Sequence, residues 1–311
     1  MSDFSDDWLA LRAPADSAAR ADALVAGLAG LALPADGVLA VTDLGCGTGA
    51  NLRHLAPLLA AQGFARQRWT CLDHDPALLA RLPARTAEWA RGRGLGCAEV
   101  RAGLRPGAEL ELGAPAGAGW SADVRTARRD LGDLNGLRLP AGGLVTASAL
   151  LDLVSAPWLD ALLARAWATG SALLFVLSYD GRCELEPDLA DDAQVIDLVN
   201  RHQRTDKGFG PALGPTAAAT AAARCRTLGY QVETAPSDWD IGAEAPELQR
   251  ALLRGWRDAA AAIAGPDLPA ARLDAWLDAR LAAVAAGASR LLIGHVDLLA
   301  LSPAAAEHPA G

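Results

Sequence analysis

The sequence predicts an α/β protein built on a doubly wound, mostly parallel sheet. Three observations carry that expectation. Apolar, strand-like runs alternate with helical stretches at least four times. Two of the runs, "VLAVTDL" (38–44) and "SALLFVLSYDG" (171–181), are apolar throughout, as strands covered on both faces are. Three glycines, Gly45, Gly47 and Gly49, sit where the first strand hands over to a helix. Doubly wound sheets bind their ligands at such turns.

The elements follow in order. Residues 15–32 carry Ala, Leu and Val at helical spacing and predict a helix within an N-terminal cap, 1–37. The strand at 38–44 leads to a helix, "ANLRHLAPLLAAQ", and "RWTCLD" (68–73) is the second strand. Asp75-Pro76 then supplies an N-cap and a proline at the first helical position, and Pro83 is expected to kink or interrupt the helix that follows. Residues 92–122, rich in Gly, Pro and Ala, predict an irregular insertion with room for a hairpin. Strands are expected at 123–131, at 143–154 and at 171–181, with a helix at 157–168.

The second half is more helical. Helices are expected at 188–203 and 216–228, the latter closed by Gly229, with a loop at 204–215 between them. "YQVETA" is a strand, and two Ala-rich helices, about 244–264 and 268–286, form a second insertion. "RLLIGHVDLLAL" (290–301) is the last strand, and a disordered tail is expected at 302–311.

Composition narrows the class of function. Apolar residues make up 51% of the 311 and the net charge is −9, which suits a globular protein and gives no electrostatic footprint for nucleic acid. Arg125, Arg128 and Arg129 fall in one short segment and read as solvated strand or loop ends. Five cysteines at irregular spacing, without a CxxC, argue for a reducing compartment and against a disulfide scaffold or zinc site; no metal is expected. "MSDFSDDWLALR" has no apolar signal core and "ALVAGLAGLAL" is too short to span a bilayer. A soluble, cytoplasmic protein without a membrane partner is expected, and the Ala-rich helices offer a dimer face.

Glycines in the turn permit positive φ and let a ligand approach the backbone, while the N–H groups of the following helix favour an anion. A phosphate or an amino-acid carboxylate would fit. A P-loop is excluded because no Gly-Lys-Ser/Thr follows. The run G-C-G-T-G-A leaves a dinucleotide reading open, since Ala50 can stand as the third small residue. Asp43, two positions before the first glycine, points instead to a ligand with a cationic group.

With these residues "VTDLGCGTGAN" resembles the first motif of the class I S-adenosylmethionine-dependent methyltransferases. The resemblance covers about residues 38–180 and implies a Rossmann-like, seven-stranded sheet with an antiparallel last strand and extra helices. It also implies S-adenosylmethionine as cofactor. Asp43, Gly45, Gly47 and Gly49 would serve the methionine end, Asp43 directly or through neighbours, with Cys46 a small residue within the loop. Asp73, with His74 beside it, would accept both ribose hydroxyls. Asp130 and Leu131 would meet the adenine, and "TASALLDLV", with Ser148, would line the reactive end.

The methyl acceptor is implied to be a small molecule, with oxygen favoured as the accepting atom. Asp152, just past the fourth strand, is a candidate base or a cap for the helix near Pro157. Tyr179 and Asp180 either touch substrate or belong to an ordinary turn. His202 is a second candidate base, or a helix-end residue. Asp206 and Lys207 are candidate substrate anchors, with Gly208, Gly210 and Gly214 in a mobile lid. Trp8, Arg12 and Asp16 belong to an N-terminal lid or a solvated face. His295, His54, Trp256 and Trp276 are expected to be structural.

Two other classes stay open. One is an NAD-type oxidoreductase using the same turn, against which stands the lack of a Tyr-x-x-x-Lys motif. The other is a non-catalytic, methyltransferase-like binding subunit. Methylation of nucleic-acid bases is disfavoured, because "SALLDLV" stands where an Asn/Asp-Pro-Pro-aromatic stretch would.

Overall fold

The computed structural model describes residues 5–32, 36–100, 109–113, 119–265 and 268–303. In chain order the strands are β1 (Leu39–Leu44), β2 (Arg66–Asp73), β3 (Gly96–Val100), β4 (Glu109–Gly113), β5 (Ser121–Arg128), β6 (Leu144–Ser148), β7 (Ala172–Glu186), β8 (Gln231–Pro236), β9 (Trp239–Ile241) and β10 (Arg290–Leu301). The helices are α1 (Asp6–Ala19), α2 (Ala23–Ala26), α3 (Ala50–Ala61), α4 (Pro76–Gly92), α5 (Ala156–Ala168), α6 (Asp192–Gln203), α7 (Ala217–Leu228), α8 (Pro246–Ile263) and α9 (Ala270–Ala285).

Among the described residues the strands form one ten-stranded sheet, ordered β3-β4-β5-β2-β1-β6-β7-β10-β8, with β9 paired to β10. The five strands from β5 to β7 run parallel. β10 runs antiparallel to β7 and β8. This is the doubly wound, mostly parallel sheet with an antiparallel last strand that the sequence predicts, and seven strands make up that frame. The other three are the hairpin β3–β4, which extends the β5 edge within the first insertion, and the short β9. Within that insertion 101–108 and 114–118 lie outside the described residues, as does most of the expected tail, 304–311.

Helices cover both faces, as a sheet apolar on both sides requires. On one face Leu52, Leu55 and Leu59 of α3 and Leu82 of α4 pack with Trp69 of β2. On the other, Leu159, Leu162 and Leu163 of α5 and Ala221 and Ala222 of α7 pack with Phe175 of β7. Each fully buried leucine contributes about 1.5–3 kcal/mol.

Several boundaries differ from the expectations, each for a tertiary reason. The expected helix at 15–32 is instead α1, which starts earlier and ends at Ala19, followed by α2. Arg20 turns to extended backbone there. Its side chain reaches Asn51 Oδ1 (2.6 Å) and Ser148 Oγ (3.1 Å), and Asp297 Oδ2 accepts from Ala21 N (2.9 Å). α4 runs through Pro83 without a break. Burial of Leu78, Leu79, Leu82, Thr86 and Ala90 along one side outweighs the cost of the proline, about 3 kcal/mol. The fourth strand stops at Ser148 rather than 154, because β1, its partner, has run out at Leu44. β7 extends to Glu186, paired along its length by β10.

Candidate functional site

The site forms where the parallel strands end. β1 gives way to Gly45, Gly47 and Gly49 at φ 67°, 51° and 82°, a region that favours glycine. Space is as tight as torsion. A Cβ on Gly49 would stand 2.9 Å from Leu82 Cγ, and one on Gly47 would stand 3.2 Å from Leu9 Cδ1. α3 begins directly at Gly49 with no side-chain cap. Its first N–H groups are thus left for a ligand.

Asp73, at the end of β2, closes the crevice opposite the glycines. Its Oδ2 accepts from Gly47 N (2.8 Å) and its Oδ1 from Asp75 N (2.9 Å), with His74 Nδ1 3.3 Å from Oδ1. Asp75 caps α4 through Ala77 N (2.7 Å). Gly45, Cys46, Asp73, His74, Leu131 and Ser148 all line this one crevice. Burial raises the pKa of the Cys46 thiol, which suits a small filler within the loop rather than a reactive group.

Asp43 and Asp130 are placed differently. Asp43 is fully buried and does not line the crevice. It accepts from Asn51 Nδ2 at 2.8 Å, and Asn51 does line it, so Asp43 is joined to the crevice through that neighbour. Its Oδ2 has no partner among the described residues, and burial raises its pKa to about 7. Asp130 is exposed and accepts from Gly132 N (2.8 Å) in a turn outside the lining, while Leu131 faces in.

α1 lies over the glycine turn. Ser5 caps it through Trp8 N (3.1 Å), Asp6 and Asp7 suit its positive end, and Asp6 ties it to Arg85 of α4 (2.9 Å). Its Leu9, Arg12 and Asp16 line the crevice, so this helix is a cover rather than a solvated face. Arg12 pairs with Asp16 (Nε–Oδ2 3.0 Å) and lies 4.9 Å from the Trp239 ring centroid.

Beside the crevice is a chamber of about 430 Å³. The two share Arg12, Ala149, Leu153 and Lys207 as lining. Trp8, Trp239, Trp256 and Leu252 give the chamber an apolar wall; Asp152, Tyr179, His202 and His295 are among its polar residues, with Arg12, Gln203 and Lys207. Ser155, not Asp152, caps α5. That leaves Asp152 buried at 7% exposure, its Oδ1 without a partner among the described residues and its pKa raised by burial to about 6. Two chamber residues, Ala149 and Leu177, hold positive φ (52° and 56°). Such non-glycine strain costs about 1–3 kcal/mol and gathers at functional sites.

Tyr179 donates to Asn200 Oδ1 (2.7 Å) at the chamber wall. Asp180, its neighbour on β7, instead pairs with Arg182 Nε (2.7 Å) outside both cavities. Asp206 is exposed and accepts from Gly208 N (2.7 Å) and Gly210 N (3.0 Å); it shapes the loop and lines neither cavity. Lys207 Nζ stands 3.3 Å from His202 Nδ1. Burial, then the charge of Lys207, lowers the His202 pKa, so the ring is neutral at pH 7.

His295 is buried and Trp256 packs against the core, in line with the structural roles expected of them, but both also line the chamber, together with Trp239, to which the sequence assigned no role. Burial lowers the His295 pKa to about 4. Their cavity exists only once β9, β10 and α8 come together, and the sequence carries no signal of that. Asn51 was legible as a polar residue on the buried side of α3. Trp276 lies in the core, as expected, while His54 bonds Asp22 Oδ1 (2.7 Å) and lines a separate surface cavity with Arg20 and Arg53.

No protein-family model and no curated protein matches the sequence. Solved structures are similar in shape. A cyclopropane-fatty-acyl-phospholipid synthase-like protein from Lactobacillus casei is 13% identical, covering 96% of this chain and 94% of that one at a TM-score of 0.47. The YcgJ protein from Bacillus subtilis is 12% identical over 90% and 97%, at 0.44. The cyclopropane synthase MmaA2 from Mycobacterium tuberculosis is 13% identical over 90% and 82%, at 0.43. Likenesses of this size leave the functional reading to the site's own residues.

Proposed function

We propose that this chain is an S-adenosylmethionine-dependent methyltransferase that methylates an oxygen of a small molecule. One observation carries the reading: the glycine turn and Asp73 face each other across one crevice, and that crevice shares a wall with a chamber lined by a buried carboxylate, Asp152, whose Oδ1 has no partner among the described residues.

The residues present fit the cofactor. Asp73 retains carboxylate lone pairs beyond those taken by Gly47 and Asp75, enough to accept two ribose hydroxyls. The α3 N-terminus suits a carboxylate, and Asp16, with Asn51 relaying Asp43, suits an ammonium. Leu78 and Leu131 offer apolar surface for a ring. When bound, the cofactor supplies a methyl carbon activated by its sulfonium.

The chain's own residues then position the acceptor and take its proton. Lys207 has only protons to offer, so it donates to His202 Nδ1 and the neutral ring carries its proton on Nε2. His202 is thereby a donor, and Asp152 is left as the proton acceptor. Arg12 and Lys207 line the same space and stabilise an oxyanion there. They oppose a cationic acceptor, which favours oxygen over amine nitrogen.

Calorimetry with S-adenosylmethionine, S-adenosylhomocysteine and NAD in parallel tests the reading. Saturable binding of both sulfur compounds and none of NAD is expected. Binding of NAD alone would overturn it in favour of an oxidoreductase.

A further inference from the structure

The chamber contains more information than the reaction type. Two of its buried lining residues carry an enclosed polar atom without a partner among the described residues: Asp152 Oδ1, an acceptor, and Trp239 Nε1, a donor. Leaving either unmet is destabilising. A hydroxyl both donates and accepts, and can meet both kinds of atom. An ammonium cannot accept from Trp239 and would meet Arg12 and Lys207.

The remaining walls suit a flat ring. Trp8, Trp239 and Trp256 surround the space, with Tyr179 and His295 in edge contact (centroids 6.0 Å, 64°). On α8 the small residues Ala251, Gly255 and Ala259 recur at every fourth position and face the chamber. Gly255 is the informative one. A glycine inside a helix is destabilising relative to alanine. No atom stands within 4 Å of where its Cβ would be, so packing does not require it. What it does is keep the chamber wide.

We propose that the chamber binds a flat hydroxyaromatic molecule, its hydroxyl on Asp152 and Trp239 and its ring in the space that Gly255 leaves open. The inference rests on the methyltransferase reading only for what happens next. With S-adenosylmethionine bound, the acceptor oxygen would form its bond to the methyl carbon as the carbon–sulfur bond breaks with its electron pair left on sulfur, releasing the neutral thioether S-adenosylhomocysteine. The O–H bond would break with its pair staying on oxygen and the proton passing to Asp152. Gly255 acts as a size determinant and takes no part in that transfer.

The test is calorimetry on the full chain, with and without S-adenosylhomocysteine. The probes are 2-naphthol, its methyl ether and 2-naphthylmethylammonium. The expected result is saturable binding of 2-naphthol, with the ether and the ammonium weaker by about tenfold or more, the loss of a hydrogen bond to a charged group. Asp152→Ala should bring 2-naphthol down to the level of its ether. Gly255→Leu should abolish 2-naphthol binding and leave S-adenosylhomocysteine binding unchanged, which also certifies the fold. If Gly255→Leu fails to fold, Gly255→Ala should fold and bind 2-naphthol more weakly than wild type. Equal binding of naphthol and ether, or naphthol binding indifferent to both Gly255 variants, overturns the inference. S-adenosylhomocysteine binding without naphthol binding overturns it and leaves the methyltransferase reading standing. Naphthol binding without S-adenosylhomocysteine binding does the reverse.

Discussion

The Gly47 N–H donates to Asp73 Oδ2 across 2.8 Å, joining the glycine turn after β1 to the end of β2. With Asp75 N on its other oxygen, the carboxylate is held in place before any ligand arrives. Preorganisation of this kind lowers what a ligand must spend on ordering its site.

Asp73→Ala removes both the acceptor and the strut. Loss of two hydrogen bonds to a charged group weakens S-adenosylhomocysteine binding on the order of 100-fold or more. Asp73→Asn, which keeps one acceptor oxygen, should fall between the two by calorimetry. Wild-type affinity in Asp73→Ala would remove the basis of the proposed function.

Asp43 gives the protein a pH-dependent stability. Unfolded, it gives up its proton near the ordinary 3.8; folded, near about 7, because burial disfavours the charged form. Between those values the folded state binds more protons, so stability falls as pH rises from about 4 to about 7 and levels off above. The full effect is on the order of 4 kcal/mol. His295, lowered to about 4, acts with the opposite sign: its share is lost as pH falls from 6.5 toward 4. Urea unfolding of wild type and Asp43→Asn at pH 4.5, 6 and 8 isolates Asp43. The variant should gain on wild type at each step upward, and a constant difference would contradict the assignment.

Gly49→Ala should cost about 2 kcal/mol or more. Alanine at φ 82° is strained by about 1–2 kcal/mol, and its Cβ would press on Leu82 Cγ from 2.9 Å. Thermal denaturation reads this directly. A melting temperature within a degree of wild type would mean the turn can relax.

The buried pair of Asp192 and Arg280 anchors α9 to the start of α6, and the two partners should not respond alike. Asp192 also accepts from Trp276 Nε1 (2.8 Å) and Leu189 N (2.7 Å), so it keeps donors when Arg280 is removed. Arg280 is fully buried, with Nη1 unpartnered, and among the described residues Asp192 alone gives it a counter-charge at hydrogen-bond distance. Asp192→Ala should therefore cost about 3–5 kcal/mol and Arg280→Leu distinctly less, by urea unfolding. Equal losses would rule out the asymmetry.

The sequence by itself determined the frame of this protein. Continuous apolar runs at 38–44 and 171–181 marked buried parallel strands, and glycines at 45, 47 and 49 marked the ligand turn. Asp75-Pro76 fixed a helix start. These signals are local: a torsion that requires glycine, a cap, an alternation of periods. Gly45, Cys46, Gly47, Asp73, His74, Leu131 and Ser148 reached one crevice because each follows or ends a strand, and parallel strands end on one side of a sheet. Only the tertiary structure decided which side chains look inward. Asp43 and Asp180 lie outside the cavities, bonded to Asn51 and Arg182, neighbours close in the chain whose pairing is set by how each side chain turns rather than by any spacing. Trp8, Trp239, Trp256 and His295 come from four separate elements, and their meeting depends on how α1 and α8 settle over β9 and β10. Burial of long-range neighbours makes that choice, and no spacing along the chain records it.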